Sequence, residues 1–214
     1  MALVEGLLVI PLVLLVFAAL IEFGFAVFQW NQTVKAMQHG ARLAAVSDPL
    51  TNISALANST LDPGEDFPDP TDPANFVAPI SCPGDPPTDP PTCSDGTNVD
   101  TDALDWIFYG SDGTCNAAAG GRLGMCDVNP RLREENVRVT YHRSGLGYVG
   151  RPGGATDGGA VVTITVEAVG VSFDLPIIGG VLAAFGGSGE GITIEIPANP
   201  VTVTSEDLCT SASC

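Results

Sequence analysis

At 214 residues the chain can hold one sizeable core plus an appended segment, and it is too short for three ordinary domains. It carries 25 acidic against 8 basic residues, a net charge of -17, which argues against nucleic acid or an anionic membrane surface as direct partner of the folded part, because phosphate binding rests on Lys and Arg. Hydrophobic residues still reach 45% because they crowd the N-terminus, so the average hides two unlike regions.

The first region has no charged residue from Gly6 to Ile21, and apolar character continues through Phe23, Phe25, Ala26, Val27 and Phe28. Allowing the interruption at Glu22, this run is long enough to cross a bilayer. A cleavable signal peptide would begin with basic residues, yet nothing basic precedes Lys35. An ordinary single-span anchor is oriented by Lys or Arg on its cytoplasmic flank, and here that flank is only Met1 to Val4. The pattern is the one expected after removal of a basic leader, which would leave a free amine at Met1. A lone carboxylate such as Glu5 at the edge of an apolar helix costs about 2.5–3.5 kcal/mol unless it is paired, and that amine is the nearest cation.

An apolar segment with a glutamate fifth from its start resembles mature type IV pilins and pseudopilins. Val4-Glu5, the Leu/Val run containing Pro11, Ile21-Glu22-Phe23-Gly24 and the closing Gly40-Ala41-Arg42-Leu43-Ala44-Ala45 make the first fifth of the chain similar specifically to the TadE-like branch of the tight-adherence pilus system. Gly6 stands where an aromatic or bulky residue commonly follows the glutamate. The resemblance implies processing by a prepilin peptidase, handling by an inner-membrane pilus assembly machinery, and polymerisation of the chain with copies of itself through N-terminal helices. It also implies that Glu5 pairs with the N-terminal amine of a neighbouring subunit. Met1, Glu5, Pro11 and Glu22 are therefore the expected subunit-assembly residues.

Beyond the bilayer-length run, apolar residues recur at Phe23, Val27, Trp30, Val34, Met37, Ala41 and Ala44, a heptad-like stripe with Gln29, Lys35, Gln38 and Arg42 on the rest of the surface. A helix from about residue 2 to residue 46 would be about 65 Å long at 1.5 Å per residue. Pro11 removes one backbone hydrogen bond and favours a kink or an opened turn. Ser47-Asp48-Pro49 stops the helix, dividing the chain into a membrane and filament-core helix at 1–47 and an extracellular domain at 48–214.

Residues 62–105 are dominated by Asp, Pro, Thr and Gly and read as ordered loop or surface linker. Six cysteines, Cys82, Cys93, Cys115, Cys126, Cys209 and Cys214, all lie outside the N-terminal helix, and none shows zinc spacing. They read as disulfides formed in an oxidising compartment. Short separations favour local pairing of Cys82 with Cys93, Cys115 with Cys126 and Cys209 with Cys214. The cluster Trp106, Ile107, Phe108 and Tyr109 reads as core. Strand patterns come late, at Val137–Tyr141, Val161–Glu167, Ile192–Ile196 and Val201–Thr204, and indicate an antiparallel sheet of three to five strands. Between the second and third of these lies FDLPIIGGVLAAFGG, too short to span a bilayer.

Nothing points to an enzyme. His39 and His142 belong to no catalytic pattern, and GxSxG, HExxH and a phosphate loop are all missing from the sequence. Asp95, Asp100, Asp102 and Asp105 form the densest acidic group, but their order does not fit a calcium loop, so no metal and no cofactor are expected. The fold expected is α+β, a long N-terminal apolar helix followed by a disulfide-stapled, loop-rich antiparallel β domain. The function expected is that of a structural pilin-like subunit, first in the inner membrane and then in an extracellular filament on the cell surface, used for adhesion. Two alternatives stay open: a membrane-anchored extracellular binding protein that never polymerises, and a minor assembly pseudopilin outside the filament body.

Overall fold

A computed structural model describes residues 2–57, 77–84, 91–116, 121–147, 160–175, 177, 179–180, 192–195 and 199–205. Its architecture is α+β: a long apolar helix and then antiparallel sheet with two disulfides. The first helix, α1, runs Ala2–Val46 with Pro11 inside it, so the kink or opened turn expected at the proline does not end the helix. The chain divides into two compact units, Met1–Gln32 with Gly170–Pro197, and Thr33–Val169 with Ala198–Cys214.

The larger unit is built on a four-stranded antiparallel sheet. Its strands are β1 (Ile80–Pro83), β2 (Val137–Gly147), β3 (Ala160–Ala168) and, at the end of the chain, β6 (Val201–Thr204), in the order β1-β2-β3-β6. Register follows side-chain alternation. Val137, Val139 and Tyr141 on β2 and Val162, Ile164, Val166 and Ala168 on β3 are buried, while the residues between them are half-buried. Val139 pairs with Val166 and Tyr141 with Ile164, so a one-residue slip would turn the whole apolar set to solvent. Arg138 lies opposite Glu167 and the two form an ion pair at 3.1 Å, of the kind that adds a few tenths of a kcal/mol, up to about 1.

A short helix, α2 (Ser54–Ala57), lies against β2 and β3. Ile53, Leu56 and Leu50 are all buried. The phenol of Tyr141, fully buried, accepts the backbone N–H of Leu50 at 2.9 Å, and the Leu50 carbonyl accepts the N–H of Asp100 at 2.7 Å. Asp100 then caps helix α3 (Thr101–Phe108), its carboxylate accepting the N–H groups of Asp102 and Ala103 at 3.1 Å each. That helix corrects the reading of 62–105 as loop throughout, as does β1. Ala103, Leu104, Ile107 and Phe108 of α3 are buried, whereas Trp106 is exposed and Tyr109 half-buried, so only part of the expected aromatic core is core.

Cys82–Cys93 and Cys115–Cys126 are bonded, with Cα atoms 4.2 and 5.1 Å apart. The first ties β1 to the following loop, and the second ties the segment after α3 to helix α4 (Met125–Val128). Cys209 and Cys214 lie outside the described residues.

In the smaller unit, β4 (Ser172–Leu175) pairs antiparallel with β5 (Ile192–Glu195), Phe173 opposite Ile194. The strand signal at Ile192 therefore belongs to a separate two-stranded sheet and not to the main one. Phe173 and Leu175 are buried in this unit.

Candidate functional site

The candidate site is the surface of α1. Its C-terminal part is a packed helix. Thr33, Ala36, Met37, Gly40, Ala41, Ala44 and Ala45 are buried, and small side chains dominate because another part of the unit approaches closely. A Cβ on Gly40 would overlap the side chain of Met125, itself fully buried on α4. Two polar contacts fix the same face: Asn129 Nδ2 donates to Thr33 Oγ1 at 3.0 Å, and His39 Nε2–H donates to the Leu123 carbonyl at 2.7 Å. His39 thus has a structural partner. Gly40 and Ala41 have a physical reason in this packing, whereas Arg42 is exposed.

The N-terminal part of α1 is different. From Val9 to Phe28 its large apolar side chains are exposed, Leu12 at 66%, Phe17 at 59% and Ile21 at 71%. About twenty helical residues span about 30 Å, the thickness of the hydrocarbon core, and α1 is long and apolar enough to cross a membrane. Exposing each such side chain to water costs about 1.5–3 kcal/mol relative to burying it. Half a dozen would match the whole net stability of an ordinary domain, about 5–15 kcal/mol, so this surface requires an apolar partner.

The expected stripe holds only in its lower half. Met37, Ala41 and Ala44 are buried, but Phe23, Val27 and Trp30 are exposed, while Glu22 and Gln29, the latter expected on the surface, are buried at 7% and 8% exposure. A residue between β4 and β5 brings its backbone amide to the helix: the Ile177 N–H donates to Glu22 Oε1 at 2.7 Å. That distance is at the short end for an N–H donor to an oxygen. An apolar cleft of 360 Å³ lies alongside, lined by Phe23, Val27, Trp30, Phe173 and Leu175.

Of the four expected assembly residues, Glu22 is engaged within its own unit and Pro11 is exposed on α1. Glu5 lies on α1 with its side chain outside the described residues, and Met1 lies outside them altogether. The partner of Glu22 was not legible in the sequence, because a backbone amide 155 positions away has no residue signature. Asp95 and Asp100 are used locally, Asp95 accepting from the N–H and hydroxyl of Thr97 at 3.0 and 2.6 Å and Asp100 capping α3. Among the described residues no group of three His, Cys, Asp or Glu is placed to hold a metal ion.

Outside the apolar run, burial drives the Tyr141 phenol well above its ordinary value of 10, and a hydrogen bond with Glu134 pushes Tyr109 up to about 12. The groups they meet, Glu134 for Tyr109 and the Leu50 N–H for Tyr141, are contacts within the larger unit.

No curated protein and no solved structure matches the chain. The family model described as TadE-like protein matches residues 1–42, the stretch that holds Glu5, Pro11, Glu22 and the Gly40-Ala41-Arg42 ending. Over this first fifth of the chain, residues 1–42, the sequence is thus similar to TadE-like proteins.

Proposed function

We propose that the chain is a structural subunit of a tight-adherence pilus, held in the inner membrane by α1 and then polymerised through that helix into an extracellular filament that serves adhesion. The observation that carries this reading is the exposed apolar face of α1 from Val9 to Phe28. A bilayer covers such a face before assembly, and the same face on neighbouring copies covers it afterwards. The acidic, disulfide-bonded residues after position 47 form the displayed extracellular domain. The partners of this reading are a prepilin peptidase, the inner-membrane assembly machinery, the membrane and further copies of the chain, with no part for catalysis or nucleic acid.

Glu5 is the residue that sets register. As a subunit leaves the bilayer its carboxylate pairs with the amine at Met1 of an adjacent copy. Breaking a buried pair costs about 3–5 kcal/mol, so a misplaced subunit is rejected. The test is filament recovered by shearing per membrane-inserted subunit in Glu5→Ala. Assembly should fall by a factor of about 100 or more, and wild-type assembly by this variant would refute the pairing.

A further inference from the structure

The larger unit contains a cleft of 570 Å³, beyond the residues that the family model matches, with walls that include Ser47, Asp48, Asp100, Asp102, Trp106 and Arg122. Its volume is in the range of small-molecule sites. Rigid backbone holds it from two sides. Leu50, just past the Ser47–Asp48 wall, is bonded through its N–H to Tyr141 and through its carbonyl to Asp100. Asp100 caps α3, and Asp102 and Trp106, four residues apart, fall on one face of that helix.

Trp106 is 37% exposed, and the Arg122 guanidinium lies 5.4 Å from the centre of its ring, which steadies the indole. The backbone of Arg122 is fixed in turn by its N–H donating to Ser111 Oγ at 2.7 Å. No ion pair joins Arg122 to a described carboxylate. Ser47 is 7% exposed, and its hydroxyl finds no hydrogen-bond partner among the described residues.

These groups define a ligand. The aspartates accept hydrogen bonds, the guanidinium donates them, and the indole offers a flat apolar face. An anionic ligand would meet the aspartates, and a cationic one would meet Arg122 at the indole. A neutral ring with hydroxyls around its edge and C–H groups on its face satisfies every group at once. We infer that this cleft binds a neutral sugar residue, free or at the end of a glycan. The inference is independent of polymerisation through α1.

The test uses the full chain in a detergent without a sugar headgroup. Saturation-transfer NMR is recorded with the methyl glycosides of glucose, galactose, mannose and N-acetylglucosamine at about 50 mM, well above a millimolar Kd. At least one should show saturable transfer. Trp106→Ala and Asp102→Asn should each weaken it about tenfold or more, and Trp106→Phe, which keeps a flat ring, should weaken it less. Both altered side chains are exposed, so melting temperatures should stay near wild type. Transfer from none of the glycosides and from no oligosaccharide, transfer unchanged by Trp106→Ala, or binding of lysine methyl ester or calcium chloride alone would overturn the assignment. Transfer that appears only with an oligosaccharide added as a further arm would support it and identify a glycan as the source.

Discussion

Glu22 and Tyr141 show how single polar groups are accommodated in apolar surroundings. Glu22 Oε1 accepts the Ile177 N–H at 2.7 Å, so Glu22→Ala leaves that amide without its acceptor, at a cost of about 1–3 kcal/mol, whereas Glu22→Gln keeps an oxygen in reach. Hydrogen exchange at the Ile177 amide should therefore speed up strongly in Glu22→Ala and little in Glu22→Gln, and equal protection in both variants would contradict the bond. Tyr141 gives a pH dependence. The unfolded chain releases the phenol proton near pH 10 and the folded chain only above that, so beyond pH 10 the unfolded state binds fewer protons and stability falls as pH rises. Below pH 10 both states keep the proton and the contribution is constant. Tyr109, pushed up to about 12, acts in the same direction. Melting temperature should decline above pH 10, less steeply in Tyr141→Phe, which also loses about 1 kcal/mol at neutral pH because the Leu50 N–H loses its acceptor. Glu22 was legible in the sequence as a polar residue in an apolar helix. What it binds was not, because its partner is main chain.

The elements were legible where side-chain periodicity carries them. The alternation around Val139, Ile164 and Val203 marks β2, β3 and β6 directly, and the uncharged N-terminal run marks α1. Two strands and a helix were not. β1 contains Cys82 and Pro83 and exists through its pairing with β2, as an edge strand that tolerates proline. β4 alternates as Ser172, Phe173, Asp174 and Leu175, but at four residues running into Pro176 the pattern is too short to stand out. Helix α3 begins in an acid-rich stretch that suggests solvated loop, although Asp100 was a capping signal in plain view. Two glycines on α1 separate internal packing from assembly. Gly40 lies against Met125, so Gly40→Val should overpack the unit and cost about 1–3 kcal/mol in denaturant unfolding, with Met125→Ala relieving part of it. Gly24 has nothing within 4 Å of where a Cβ would stand. Gly24→Leu should thus leave the subunit's own melting unchanged while reducing filament recovery, because small residues permit close helix approach in an apolar medium. Wild-type assembly by Gly24→Leu would exclude that face from the intersubunit contact.

At the scale of the whole molecule the chain joins two solvent preferences. α1 presents a bilayer-length apolar surface, whereas the chain as a whole carries a net charge of -17, which favours contact with water. Two disulfides, each closing a separation of 11 residues, suit an oxidising exterior. The polymerisation proposed for α1 would serve both preferences at once, since the helices could shield one another while the acidic residues face water. The measurement that tests this most directly is immunogold electron microscopy of material sheared from cells producing the chain. The account expects filaments labelled along their length, absent in Glu5→Ala cells that still insert the subunit. Label confined to detergent-extracted membrane, with unlabelled filaments or none in the sheared fraction, would contradict it.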